Sequence, residues 1–170
     1  LLVMNNDART SPVGFADVDW SRSKAYAIGL NSVYINRQGR EEHGVVGEQE
    51  ADQIKAMIMR ELPGVIDPGT GQQIVREVFD GAVIYPDNAN NDAPDLVIGY
   101  QPGYRASWQT SLGGVPATLV DVNDQKWSGD HCIVPDAVPG VLFTSFRPET
   151  PMREIRDVAT YAREHWADAH

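Results

Sequence analysis

Ala25-Tyr26-Ala27-Ile28-Gly29-Leu30-Asn31-Ser32-Val33-Tyr34-Ile35 is the stretch on which the reading of the fold turns. Two short apolar segments, residues 25–28 and 33–35, flank Gly29-Leu30-Asn31-Ser32, and a pair of strands joined by a tight turn is the natural reading. Downstream the period changes. Ile54, Met57, Ile58 and Leu62 recur at helical spacing while Glu50, Asp52, Lys55 and Arg60 take the other positions. That pattern predicts an amphipathic helix of about four turns over residues 48–62. Pro63-Gly64 ends it, because proline cannot continue the hydrogen-bond ladder.

Further along, Asp67-Pro68-Gly69-Thr70-Gly71 is turn chemistry. The β-branched Ile74, Val75 and Val78 tilt residues 73–79 toward strand. Residues 5–12 and 87–94 are polar and read as loops, and residues 95–99 read as a buried strand. Residues 103–116, rich in Gly, Ser and aromatics, read as irregular with some strand. Val141-Leu142-Phe143 reads as a short strand after Pro139-Gly140. Ile155, Val158, Ala159, Ala162 and Trp166 predict a helix over residues 151–166, with Thr150 as N-cap and Pro151 at its first position. Interspersed strands and helices imply an α/β or α+β domain.

Composition narrows the function classes. The chain has 170 residues, 42% of them hydrophobic, enough for a core. It carries 14 Lys and Arg against 24 Asp and Glu, a net charge of -10, which disfavours binding to a nucleic acid polymer. A single cysteine, Cys132, forms no internal disulfide. No run approaches the ~18 apolar residues that a membrane span needs, so no membrane segment is expected.

The residue best placed for chemistry is His131, in Trp127-Ser128-Gly129-Asp130-His131. Its imidazole could bind a metal, act as a general base, or simply hydrogen-bond Asp130 or the backbone. His43, His165 and His170 are weaker candidates, and Cys132 reads as a small buried residue. Glu41-Glu42 reads as a solvated face, and residues 19–24 read either as a strand entry with Trp20 packed under a loop or as an element whose Arg22 and Lys24 bind an anion. Tyr100, Tyr104 and Trp108 either stack on a ligand ring or serve packing. The metalloprotease HExxH, the CxxC pair, the EF-hand loop, the phosphate-cradling GxxxxGK[ST] and the GxSxG elbow are all absent from the sequence.

Several segments, in order, resemble one family. Asp19-Trp20-Ser21-Arg22-Ser23-Lys24-Ala25-Tyr26-Ala27-Ile28-Gly29-Leu30 is similar to the DWSxTKAYAxGL stretch of type I phosphodiesterase/nucleotide pyrophosphatase-like proteins of the alkaline phosphatase superfamily. Tyr34-Ile35-Asn36-Arg37-Gln38-Gly39-Arg40-Glu41 resembles their YxNxxGRE motif, and Gly44-Val45-Val46 the GIV that follows. Asp67-Pro68-Gly69-Thr70-Gly71 resembles the DPxTG turn and Ala93-Pro94-Asp95-Leu96 the APDL strand. Ser128-Gly129-Asp130-His131 and Pro139-Gly140-Val141-Leu142-Phe143 resemble the late SGDH and PGxLF elements. The series covers about residues 18–160.

The resemblance implies the C-terminal portion of an alkaline-phosphatase-like three-layer α/β fold with a mostly parallel sheet, plus an α+β cap-like region. Residues 1–126 would be the cap-like and connecting region, and residues 127–170 a core segment with the late metal-ligand histidine and a terminal helix. It implies two divalent metal ions, usually zinc, with His131 as one ligand and Asp130 orienting it from behind. It implies hydrolysis of a small phosphate ester by a Thr or Ser nucleophile upstream of this chain, with the N-terminal remainder of the same protein as partner. Ser23 departs from the usual Thr of its motif, and no Asp-His-Gly occurs in the sequence. The fragment alone is therefore expected to be inactive. The competing reading is a non-catalytic binding or scaffold module that keeps the family framework.

Overall fold

A computed structural model describes residues 1–5, 14–87, 91–124, 133–145, 147–149 and 151–166. Leu1–Ala137 and Val138–His170 form two separate compact units. In the first, β1 (Ala25–Ile28) and β2 (Ser32–Ile35) pair antiparallel, with Ile28 opposite Ser32. Gly29 turns the corner at φ +75°, a region that L side chains avoid. After β2 come α1 (Glu48–Glu61), β3 (Val75–Asp80), the one-turn α2 (Gly81–Ile84), β4 (Leu96–Tyr100) and a one-turn α3 (Trp108–Ser111). The second unit contains α4 (Ile155–Trp166).

The strand order is β1-β2-β4-β3 and every neighbouring pair is antiparallel. The expected three-layer fold with a mostly parallel sheet is therefore corrected: this is a small mixed α/β domain on a four-stranded antiparallel sheet. That expectation comes with the family resemblance, not from the periodicity of the strands. β2 and β3, on either side of α1 in the chain, do run in the same direction. They are not neighbours, however. β4 enters between them and runs against both.

Helix α1 forms where residues 48–62 predicted it. Glu48 and Glu50 sit in its first turn and Arg60 in its last, each favourable to the helix dipole. Leu62–Gly64 tightens into a 3-10 turn, and the chain leaves extended at Val65. The helix buries Ala51, Ile54 and Ile58 against Val33, Ile35, Val75, Val78, Leu96 and Ile98 of the sheet. Burying each of the two helix isoleucines is worth about 1.5–3 kcal/mol. Residues 73–79 and 95–99 become β3 and β4 with a shift of one or two residues.

The other face of the hairpin is aromatic. Tyr26 and Tyr34 lie opposite each other and stack at 5.4 Å, while Phe15 and Trp20 meet Tyr26 edge-on at 5.5 and 5.3 Å.

Two C-terminal expectations change. Residues 141–143 form no strand. Helix α4 begins at Ile155 rather than near Pro151, with Asp157 accepting from the amides of Arg153 and Glu154 at its start. The N-cap assigned to Thr150 lies outside the described residues.

Two glycines test the packing. A Cβ on Gly44 would lie 1.8 Å from the Arg37 carbonyl oxygen, whereas one on Gly64 would meet nothing within 4 Å. Gly44→Ala is expected to lower the urea midpoint by the equivalent of about 1–3 kcal/mol or more. Gly64→Ala is expected to stay within about 0.5 kcal/mol of the parent. Equal midpoints for the two variants would contradict the tight approach at residue 44.

Candidate functional site

Asp95 stands at the start of β4 with its carboxylate buried, and four donors converge on it. Oδ2 accepts from the Ile35 amide at 2.7 Å and from Arg40 Nη2 at 2.6 Å. Oδ1 accepts from Arg37 Nε at 2.8 Å and Nη2 at 2.7 Å. The Ile35 amide needs this partner because the β2–β4 ladder covers only Ser32 and Val33. Arg40 also donates to the Ile35 carbonyl at 2.7 Å and to Glu41 Oε1 at 2.8 Å, and lies 5.6 Å over the Tyr34 ring. Glu41 Oε2 takes the Arg37 amide at 2.7 Å, and Glu41 Oε1 takes the Tyr26 hydroxyl at 3.3 Å. Two carboxylates thus balance two guanidiniums across segments far apart in sequence.

This balance shows in the ionisation of its members. Burial pulls the Arg40 pKa down, but the hydrogen bond and charge of Asp95, helped by Glu41, outweigh it and raise the pKa. Tyr26 is pushed up to about 12, first by burial and then by the negative charge of Glu41. Burial also raises Tyr34, against the pull of Arg40.

Asn36, fully buried next to this network, ties three loops together. Its Nδ2 lies 3.0 Å from the Trp20 carbonyl, 2.8 Å from that of Ser23 and 3.2 Å from that of His43. Its Oδ1 is buried with no partner among the described residues.

A second polar cluster sits past the carboxyl end of β4. Asp67 Oδ1 accepts from the Gly69 amide, while Oδ2 accepts from Thr70 Oγ1 and from the Tyr104 hydroxyl, all at 2.8 Å. The Gly69 amide first, then the two hydroxyls, hold the Asp67 carboxyl below the ordinary range. A carboxylate so stabilised is a poor base for the adjacent Thr70 hydroxyl. At the same end of the sheet, Ile133 pairs in parallel with Tyr100, and the Val134 amide donates to the Tyr100 carbonyl at 3.2 Å.

His131 lies outside the described residues, as do Asp130, Cys132 and His170. His43 is exposed on a turn and contributes its carbonyl to Asn36. His165 is on α4, stacked on Tyr161 at 3.8 Å, with Nδ1 3.0 Å from the Tyr161 carbonyl. It shares a shallow groove with Glu149, Asp157 and Glu164. Among the described residues, no three His, Cys, Asp or Glu side chains come together to hold a metal. The described residues therefore do not supply the ligand set of a two-metal centre.

Arg22 and Lys24, read as anion binders, face Asp19 at 3.8 Å and Glu50 at 2.5 Å. Of the three stacking candidates, Tyr104 is tied to Asp67, and Tyr100 is half-buried. Trp108 is exposed, with Arg105 5.2 Å over its ring. Sequence reading took Glu41-Glu42 as solvated, whereas Glu41 belongs to the Asp95 network. The available signal was Asp95 itself, a charge directly before a run of five strand residues.

No protein-family model matches the chain, and no similar curated protein or solved structure was found.

Asp95→Ala strips the compensating charge from Arg37 and Arg40 and leaves the Ile35 amide unpaired. Losing one member of a buried pair costs about 3–5 kcal/mol, and the partial exposure of Arg37 places this variant near the lower figure. Chemical denaturation checks it. An alkaline titration tests Tyr26. Its raised pKa gives stability that is complete below pH 10.0 and is lost as the pH climbs toward about 12. Ultraviolet absorbance should show Tyr26 and Tyr34 ionising later than an ordinary tyrosine, and Tyr26→Phe should remove the step near pH 12.

Proposed function

We propose that the chain is a C-terminal part of a metal-dependent phosphodiesterase or phosphohydrolase acting on a small phosphate ester. The observation that carries this reading is the meeting of two motifs of the resemblance. Gly39-Arg40-Glu41 and Ala93-Pro94-Asp95 are far apart in sequence, yet Arg40 and Asp95 share a 2.6 Å ion pair across 55 residues. The Asp67-Thr70 turn, a third segment of the resemblance, closes on its own carboxylate.

In this reading the described residues hold a frame rather than perform a reaction step. The carboxylates of Glu41, Asp67 and Asp95 are satisfied by internal donors. His131 serves as a metal ligand, and Asp130 orients its imidazole. Two divalent ions, zinc in the family, supply charge neutralisation at the phosphoryl group when bound. The remaining ligands and the nucleophile belong to the upstream part of the same product.

A non-catalytic binding or scaffold module is the second reading, and the internal saturation of both polar clusters favours it. One experiment separates the two. The gene product carrying this segment with its upstream residues should hydrolyse an aryl phosphodiester in the presence of zinc. His131→Ala should lose bound zinc and turnover together. Unchanged zinc content in that variant removes His131 from the site, and a longer product without zinc-dependent turnover leaves the scaffold reading.

A further inference from the structure

The aromatic rings beside the hairpin form a contact chain with a direction. Trp20 meets Tyr26 edge-on at 5.3 Å, and Tyr26 stacks on Tyr34 at 5.4 Å. Phe15 flanks the first contact, 5.1 Å from Trp20 and 5.5 Å from Tyr26. All four side chains are half-buried. Indole and phenol are among the side chains that give up a single electron most readily, and rings in contact can exchange one directly. Phe15 gives up no such electron, so its part is to screen the contact from water.

The two tyrosines differ in what surrounds them. The Tyr26 hydroxyl donates to Glu41 Oε1 at 3.3 Å, whereas the Arg40 guanidinium lies 5.6 Å over the Tyr34 ring. Negative charge beside a ring favours the loss of an electron from it, and positive charge opposes that loss. Ionisation shows the same contrast: among the charges, Glu41 acts on Tyr26 more strongly than Arg40, while Arg40 leads at Tyr34. A phenol that has lost an electron is a strong acid, and Glu41 stands where its proton would go. Tyr26 is therefore the ring on which an oxidation comes to rest.

We propose that Trp20, Tyr26 and Glu41 form a one-electron relay, which takes up an oxidation from a small radical at Trp20 and holds it on Tyr26. The radical takes an electron from the Trp20 indole and is reduced to its anion, and the indole nitrogen releases its proton to water. An electron then passes from Tyr26 to the Trp20 radical. The Tyr26 hydroxyl proton moves to Glu41 Oε1, and the Trp20 nitrogen takes a proton back from water. One electron has left the protein and no net proton has. Trp20 is restored, and a neutral Tyr26 oxygen radical stands beside a protonated Glu41.

Azide radical, made by a pulse of ionising radiation, oxidises tryptophan ahead of tyrosine at neutral pH, and transient absorption follows the result. In the 170-residue chain, tryptophanyl absorption should give way to tyrosyl absorption in a fast phase whose rate is independent of protein concentration. Trp20→Phe and Tyr26→Phe should each remove that phase, although Trp108, Trp127 and Trp166 remain open to oxidation. Glu41→Gln should slow it about tenfold or more. A nitroso spin trap followed by mass spectrometry should place the adduct on Tyr26. A fast phase that survives either phenylalanine variant, or that scales with protein concentration, overturns the relay. An adduct on Tyr34 overturns the selection of Tyr26, and an unchanged rate in Glu41→Gln removes Glu41 as the proton acceptor. Tyr26→Phe leaves the bonds of Glu41 to Arg37 and Arg40 in place, so the test stands even where Glu41→Gln loosens the fold.

Discussion

The carboxylate of Asp95 is the point on which the first unit depends. It sits where the β2–β4 ladder stops, and it substitutes a side-chain acceptor for the missing strand partner of Ile35. Taking a carboxylate out of water costs several kcal/mol, and only dense donation offsets it. Here the offset comes from one amide and two guanidiniums, with Tyr34 under the second guanidinium. The consequence is registration. A slip of β4 by one residue would turn Asp95 to the other face and strand two arginines at once. Hydrophobic contacts between α1 and the sheet tolerate such slips far better, since they lack direction.

Asn36 plays the same part for the irregular chain around the hairpin. Segments near Trp20, Ser23 and His43 have no strand of their own to pair with, and one buried amide group gathers their carbonyls. Such a residue does for loops what a ladder does for strands. Asp67, Asp95, Glu41 and Asn36 therefore all serve to hold turns and loops in place.

Much of this was legible in the sequence where a single period ran long enough. The i, i+3, i+4 pattern of Ile54, Met57, Ile58 and Leu62 located α1, and Gly29 located the hairpin turn. Strand direction was not legible, because Val75, Val78, Leu96 and Ile98 carry the same side chains whichever way their strands run. The polar network was half legible. Asp95 and Arg40 each stood in a recognisable motif, but nothing local says that they meet. His131, the metal ligand that the resemblance implies, lies outside the described residues, so that assignment rests on the motif alone.

The insertion of β4 between β2 and β3 also bears on how the chain reaches its shape. β1 and β2 can associate early, because three turn residues separate them. The rest cannot grow outward from that hairpin one strand at a time. β3 precedes β4 in the chain yet touches the sheet only through it. Until the middle strand arrives, with Asp95 meeting Ile35 across 60 residues, α1 has half a floor to lie on. Assembly is then concerted, and the nucleus must enclose a large loop before most of its contacts form. A slow, single-step collapse with no stable half-sheet is the kinetic signature of that topology.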